Sequence, residues 1–262
     1  MIPIARPTLG QEEADAASRV ILSGWVTQGS ETAAFAREFA EYVGAPHAVA
    51  VSSGTTALHL ALLVAGVRPG DEVITVSHSF IATANAIRYC GAVPVFVDID
   101  PHTLNIDSAL VDGAVTQKTR AILAVHQVGL PCDLDQLMTI ARRYSIPLVE
   151  DAACAIGSEY RGERIGKAYG DVACFSLHPR KLLTTGDGGM ITTANAEWDR
   201  ELRLLRQHGM SVSDAVRHKS SEVIFESYPV LGFNYRLTDI QAAVGRVQLA
   251  HLDEQIVRRR EL

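Results

Sequence analysis

Sulfur is scarce in this sequence and badly placed for cross-linking: four cysteines in 262 residues, Cys90, Cys132, Cys154 and Cys174, with no C-x-x-C pair. That spacing excludes a disulfide framework and a zinc site alike, and the four read as small buried residues in a reducing compartment. Nine histidines are scattered without metal-ligand spacing, which disfavours a metal enzyme. Basic clusters are missing as well. The one run of cations, Arg258-Arg259-Arg260, reads as the solvated end of a helix, and a net charge of -6 argues against a nucleic-acid surface. No apolar run is long enough to cross a bilayer, and Met1 to Pro7 carries two prolines rather than an apolar leader. The cytoplasm is therefore the expected compartment. Repeats and low-complexity tracts are also lacking. What is present, 47% hydrophobic and 21% charged, is ordinary globular material, enough for one sizeable core or two small ones.

The chain opens with helical spacing over Glu12 to Leu22 and Glu31 to Val43, the second stopped by Gly44. Between them, Ser23 to Gly29 is a connector with two glycines around Trp25, a residue that reads equally as a lid or interface aromatic and as a staple onto the core. From His47 the pattern alternates. Short apolar runs cover His47–Val51, Glu72–Val76, Val93–Asp98, Arg120–His126, Pro147–Glu150, Val172–Ser176 and Met190–Thr193, and helical stretches cover Thr56–Ala65, Phe80–Cys90 and Leu134–Tyr144. Strands rich in Val and Ile with helices between them predict a mainly parallel seven-stranded sheet, covered by helices on both faces. Right-handed crossovers then bring the strand C-terminal ends to one edge, where such sheets bind ligands. After Thr193, Glu197 to Gln207 reads as a helix and Ser211 to Tyr228 as a polar excursion. Thr238-x-x-Gln241 is a capping box opening a long amphipathic helix with Ile240, Val244, Val247 and His251 on one side.

Several chemistry-bearing residues fall on the predicted edge. Lys181 follows the run Val172 to Ser176 and precedes the glycine-rich turn Gly186-Asp187-Gly188-Gly189. An amine at a strand end can form a Schiff base with an aldehyde, provided burial leaves it unprotonated; taken alone, the same lysine reads as a solvated loop residue. Ser52-Ser53-Gly54-Thr55-Thr56 is a strand, a glycine turn and a helix start, suited either to a phosphate or simply to helix capping. Asp151 ends an apolar strand and is costly to bury unless it meets a cation, such as a protonated pyridine nitrogen, or caps the next segment. Phe80 could lie against a ring or fill the core, and the hydroxyl of Ser176 could reach the same phosphate as Thr55 and Thr56.

These segments, together with Ser23-Gly24-Trp25, Ser79-Phe80-Ile81-Ala82-Thr83, Val125-His126-Gln127-Val128-Gly129, Glu150-Asp151-Ala152-Ala153, Phe175 to Lys181 and Gly232-Phe233-Asn234-Tyr235-Arg236, resemble the DegT/DnrJ/StrS family of pyridoxal-phosphate enzymes. The family consists mainly of sugar-nucleotide aminotransferases of the aspartate-aminotransferase fold type, and the resemblance runs over essentially the whole chain. It implies an α/β, aspartate-aminotransferase-like (fold type I) large domain over residues 1–237. Residues 238–262 would then begin a long helix leading to a C-terminal small domain that this chain lacks. It also implies pyridoxal 5'-phosphate as cofactor. Lys181 would be the covalent lysine and proton carrier, Asp151 the pyridine-nitrogen partner, and Phe80 the ring-stacking aromatic. Thr55, Thr56 and Ser176 would bind phosphate, with Asn234 supplied by the neighbouring subunit of a homodimer. One departure stands out: Cys154 lies where many members have a glutamine that contacts the cofactor's ring oxygen. His126 and His178 fall near the expected site and read as satisfied core histidines rather than proton carriers.

The implied reaction is amino transfer from an amino acid, glutamate being expected, to a keto group of a nucleotide-linked sugar. The family's sugar dehydratase branch carries histidine in place of the lysine, so Lys181 speaks against that alternative. A non-catalytic or regulatory cofactor binder is the remaining one.

Overall fold

The computed structural model describes residues 6–167, 169–212, 217 and 224–262. In chain order the first half comprises helices α1 (Gln11–Ser23) and α2 (Ser30–Val43), strand β1 (His47–Val51), α3 (Gly54–Val64), β2 (Glu72–Val76), α4 (Ala82–Tyr89), β3 (Val93–Val97), α5 (Ser108–Ala114) and β4 (Thr119–Val125). The second half comprises α6 (Leu134–Tyr144), β5 (Leu148–Asp151), a short hairpin of β6 (Glu159–Tyr160) and β7 (Glu163–Arg164), then β8 (Val172–Ser176), β9 (Gly189–Thr193), α7 (Ala196–Leu205), α8 (Asp239–Ala250) and α9 (Leu252–Arg260).

Seven strands form one sheet in the order β1-β9-β8-β5-β4-β2-β3. Pairings are parallel from β8 to β3, and β9 alone runs antiparallel to both its neighbours. Side chains alternate across the sheet as the pleat demands. Ala48, Ala50, Ala173 and Phe175 join one core, beneath Phe35 and Phe39 of α2, Leu137 of α6 and Ala242 of α8. Val49, Val51, Cys174 and Ile191 join the other, with Leu58 and Leu62 of α3, Ile87 of α4 and Leu202 of α7. Both faces are thus covered, which is why the strands carry apolar residues at successive positions rather than every second one.

The structure departs from the sequence pattern in several places. Helix α5 is too short to leave a periodic signal; the Asp107 carboxylate starts it by accepting the Ala109 N–H at 3.0 Å. Helix α4 begins at Ala82, so Phe80 precedes it. Cys154 is exposed, whereas the other three cysteines are buried. The excursion expected over Ser211 to Tyr228 includes residues 213–216 and 218–223, which lie outside the described residues. Trp25 acts as a staple: its indole donates to the Gln28 carbonyl at 3.3 Å and covers Gly29, where any side chain would strike the ring.

The helix after Thr238 is not single. Thr238 and Gln241 do form the capping box, but His251 leaves helical geometry at φ -98° and ψ 5° before α9 restarts. There the His251 ring reaches Glu12 of α1 at 2.9 Å, and Leu252 turns into the core. The large residues Ile240 and Val247 are only half-buried, against Ala16 and Val20 of α1. The deeper face combines small residues with Leu249: Ala242 is fully buried, and a Cβ on Gly245 would lie 2.6 Å from the Phe35 ring.

Helix α8 also completes α2, whose N-cap Gly29 has no side chain to offer. The buried carboxylate of Asp239 accepts the N–H groups of Gly29, Glu31 and Thr32 at 2.7, 3.2 and 2.9 Å and the Thr32 hydroxyl at 2.7 Å. An anion at a helix N-terminus meets both the free donors and the dipole. Among the described residues no helix is long and apolar enough to cross a membrane. Because Asp239→Ala strands several buried donors at once, it should lower the unfolding free energy by about 2–4 kcal/mol, read from urea denaturation midpoints at constant m.

Candidate active site

The C-terminal ends of the parallel strands supply the functional groups. After β1, Ser53 caps α3: its Oγ accepts the Thr56 N–H at 3.1 Å, and the Thr56 hydroxyl donates back to the Ser53 carbonyl at 2.8 Å. The first-turn N–H groups of Gly54 and Thr55 have no intrahelical acceptor and are available to an anion. Two glycines let this helix end press against the sheet. A Cβ on Gly54 would lie 2.8 Å from the Ser176 Cβ, and one on Gly189 would strike the Ser53 carbonyl. A side chain at position 54 would therefore fill the cradle between the helix end and Ser176.

After β2 comes Phe80, 73% exposed at the rim, which rules out the core reading. At the end of β5, Asp151 is only 6% exposed. Its Oδ2 accepts the Thr83 hydroxyl at 2.8 Å and its Oδ1 accepts the Ala153 N–H at 3.2 Å, so the capping role and the buried role coexist. Burial pushes the Asp151 pKa up; the bonds from Thr83 and Ala153 and the charge of Lys181 offset this only in part. A cation seated against this carboxylate would favour its charged form.

After β8 the chain loops back to β9 through residues 177–188, closed by Leu177 N to Gly188 O at 2.8 Å and by the Thr184 hydroxyl on the Leu177 carbonyl at 2.9 Å. The loop carries Lys181, half-buried, with its Nζ 3.0 Å from Cys154 Sγ. A cavity of about 370 Å³ opens here, with Thr55, Phe80, Asp151, Ser176, Lys181 and Cys154 in its wall. That volume is within the ordinary range for a small-molecule cofactor. The donor set fits pyridoxal 5'-phosphate: amide and hydroxyl donors for a phosphate at one end, a carboxylate for a ring nitrogen, and an amine for an aldehyde.

Two expected residues lie elsewhere. The hydroxyl of Thr56 is committed to the α3 cap and does not line the cavity. Asn234 is exposed, bridged to Gln207, and its Oδ1 accepts from Arg236 at 3.1 Å; it is not in the cavity wall. His126 is a satisfied core residue: its Nδ1 accepts the Cys132 N–H at 3.1 Å, so its hydrogen sits on Nε2 and points to the buried Glu150 at 2.8 Å. His178 is not a core residue: it is half-buried in the cavity wall, where its Nδ1 accepts the Arg180 N–H at 3.2 Å. Sequence reasoning overlooked Thr83, the partner of Asp151, and the contact of Cys154 with the lysine. The first could have been suspected from a hydroxyl in the opening turn of the helix that follows β2; the second had no local signal.

Sheet and cavity together define the large, cofactor-binding domain of a fold type I pyridoxal-phosphate enzyme. Over residues 7–262 the sequence matches the DegT/DnrJ/EryC1/StrS aminotransferase family, and the chain belongs to it. It is 43% identical over 259 residues to the GDP-perosamine synthase of Caulobacter vibrioides, covering 98% of this chain and 67% of that protein. Against the spore coat polysaccharide biosynthesis protein SpsC of Bacillus subtilis the identity is 42% over 261 residues, 100% of this chain and 67% of the relative. The aminotransferase TlmJ from Streptoalloteichus hindustanus superposes with a TM-score of 0.91 at 38% identity, covering 100% of this chain and 69% of the other. The chain thus spans about two thirds of the length of each.

Thiol reactivity follows from the burial pattern. Burial pushes the Cys90 thiol up to about 12 and that of Cys174 well above its ordinary value, while Cys154 stands exposed in the cavity. One thiol per chain should react quickly with an aromatic disulfide reagent in the native protein. Cys154→Ser should abolish that fast phase, and added pyridoxal phosphate should slow it.

Proposed function

We propose that this chain is the cofactor-binding part of an enzyme that moves an amino group from an amino acid, glutamate being the expected donor, to a keto carbon of a nucleotide-linked sugar. The observation that carries this reading is the convergence of Lys181, the buried Asp151 and the anion cradle at α3 on one cavity. Pyridoxal 5'-phosphate, when bound, supplies the aldehyde through which amino groups are exchanged and a ring that absorbs the electron pair of a broken C–H bond.

The residues of the chain do the rest. Gly54 and Thr55 N–H groups and the hydroxyls of Thr55 and Ser176 hold the phosphate. Asp151, steadied by Thr83, keeps a proton on the ring nitrogen, which is the cation that its buried carboxylate calls for. Phe80 covers the outer face and excludes water. Lys181 Nζ takes the proton from the substrate carbon that bears nitrogen and delivers it at the other end of the exchange. Cys154 keeps the amine directed inward through the 3.0 Å contact. Asn234, on the surface of its own protomer, completes the phosphate site of a second subunit in a homodimer. Residues 1–237 make up the cofactor-binding domain, and 238–262 lead towards a smaller domain, a division supported by the two-thirds coverage of the relatives. The working compartment is the cytoplasm.

Borohydride reduction of the protein loaded with pyridoxal phosphate should fix the label on the peptide containing Lys181, and Lys181→Ala should leave none; a covalent label in that variant defeats the assignment. Asp151→Asn should slow the glutamate half-reaction, followed by absorbance, by about 10²- to 10³-fold while Lys181 remains labelled.

A further inference from the structure

A second cavity, of about 420 Å³, lies beside the first and shares Ala153, Cys154, Arg180 and Lys181 with it. Its outer wall is α9, which contributes Ile256, Arg259 and Arg260. With Arg180 these make three guanidinium groups, and no carboxylate lines the space. In a chain of net charge -6, a cationic cavity opening onto the reactive lysine runs against the average. None of the three guanidinium groups is engaged in an ion pair among the described residues, although the adjacent Arg258 is paired with Glu261 at 3.0 Å.

The position of these arginines is built into the fold. Asp253, in the first turn of α9, accepts from the Tyr42 hydroxyl at 2.7 Å and from Arg164 at 3.2 Å, and the Arg164 guanidinium lies 3.9 Å from the centre of the Tyr42 ring. One turn later Ile256 fills the space that a side chain at Gly157 would need, and Gly157 itself has φ +77°. The two contacts fix both the direction and the rotation of α9, so that Arg259 and Arg260 face the cavity.

We propose that this second cavity binds the diphosphate of a nucleoside diphosphate sugar, with the keto carbon of the sugar directed past Cys154 to Lys181. The inference rests on the reading of the chain as an aminotransferase of nucleotide-linked sugars and adds where such a substrate is held. Guanidinium forks match phosphate oxygens two at a time, and a diphosphate ester brings two negative charges to three cations. The distal carboxylate of an amino-acid donor would bring one charge and need one arginine. Leu182, Ile156 and Ile256 supply an apolar surface for the sugar ring between the two ends.

The test is isothermal titration of protein loaded with pyridoxal phosphate, wild type against R259Q/R260Q, using guanosine diphosphate, uridine diphosphate and glutamate as probes. The expected result is a loss of at least tenfold in affinity for the nucleoside diphosphates, a weaker dependence of their binding on salt, and unchanged glutamate binding. Equal nucleoside diphosphate affinity in both proteins overturns the cavity assignment alone. A loss confined to glutamate overturns it in favour of the donor, and wild-type protein that binds neither nucleotide overturns the substrate reading as well. Both side chains are exposed, so matching melting curves serve as the folding control, with R260Q alone as the second variant.

Discussion

A carboxylate buried where its charge is opposed is the constraint around which this structure is arranged. Asp151 sits at the end of β5, in the interior of the sheet, with β4 on one side and β8 on the other. The residue is only 6% exposed, and Thr83 and the Ala153 amide compensate the anion only in part. Burial disfavours the charged form of such a group, a cation beside it favours that form, and the cavity above it is the route by which a cation arrives. Nothing in the core needs the acid: a hydrophobic residue at the end of β5 would pack more cheaply. The cost is explained by chemistry and not by stability.

The groups that surround Asp151 reach it through two topological facts. Parallel strands deliver Ser53, Phe80, Asp151 and Ser176 to one edge of the sheet, as crossover connections require. Strand β9 then reverses direction between β1 and β8, and that reversal makes the connection of residues 177–188 a tight loop over the same edge instead of a crossover to the opposite one. Lys181 is on this loop. The antiparallel strand also starts with Gly189, whose lack of a side chain lets the α3 cap approach β8. Anion cradle and reactive amine are therefore neighbours because a single strand runs the other way.

Helices α8 and α9 connect distant parts of the chain. Asp239 finishes α2, Gln248 is tied to Thr8 and Glu13, and Asp253 gathers Tyr42 and Arg164. The break at His251 divides the labour: α8 closes the layer over the sheet, and α9 turns away to wall the arginine-lined cavity. Cys154 and Lys181, common to both cavities, stand where the two meet.

All seven strands of the large sheet were legible from alternating apolar runs and helical spacing, because strands covered on both faces leave a signal that needs no knowledge of their partners. The residues offering anion, cation and hydroxyl groups at the strand ends were legible for the same reason: strand ends can be located locally. Composition and order thus determined the large sheet, most of its covering helices, and the edge on which the chemistry lies; α5 and the break at His251 were not among them. Only the folded chain decided that the Thr56 hydroxyl turns into its own cap, that Thr83 supports Asp151, that Cys154 touches Lys181, and that Ala242, Gly245 and Leu249 rather than Ile240 and Val247 lie on the buried face of α8. Each of these depends on groups far apart in sequence, or on a choice between two equally good local hydrogen-bond partners, and periodicity carries no information about which distant surface a side chain will meet.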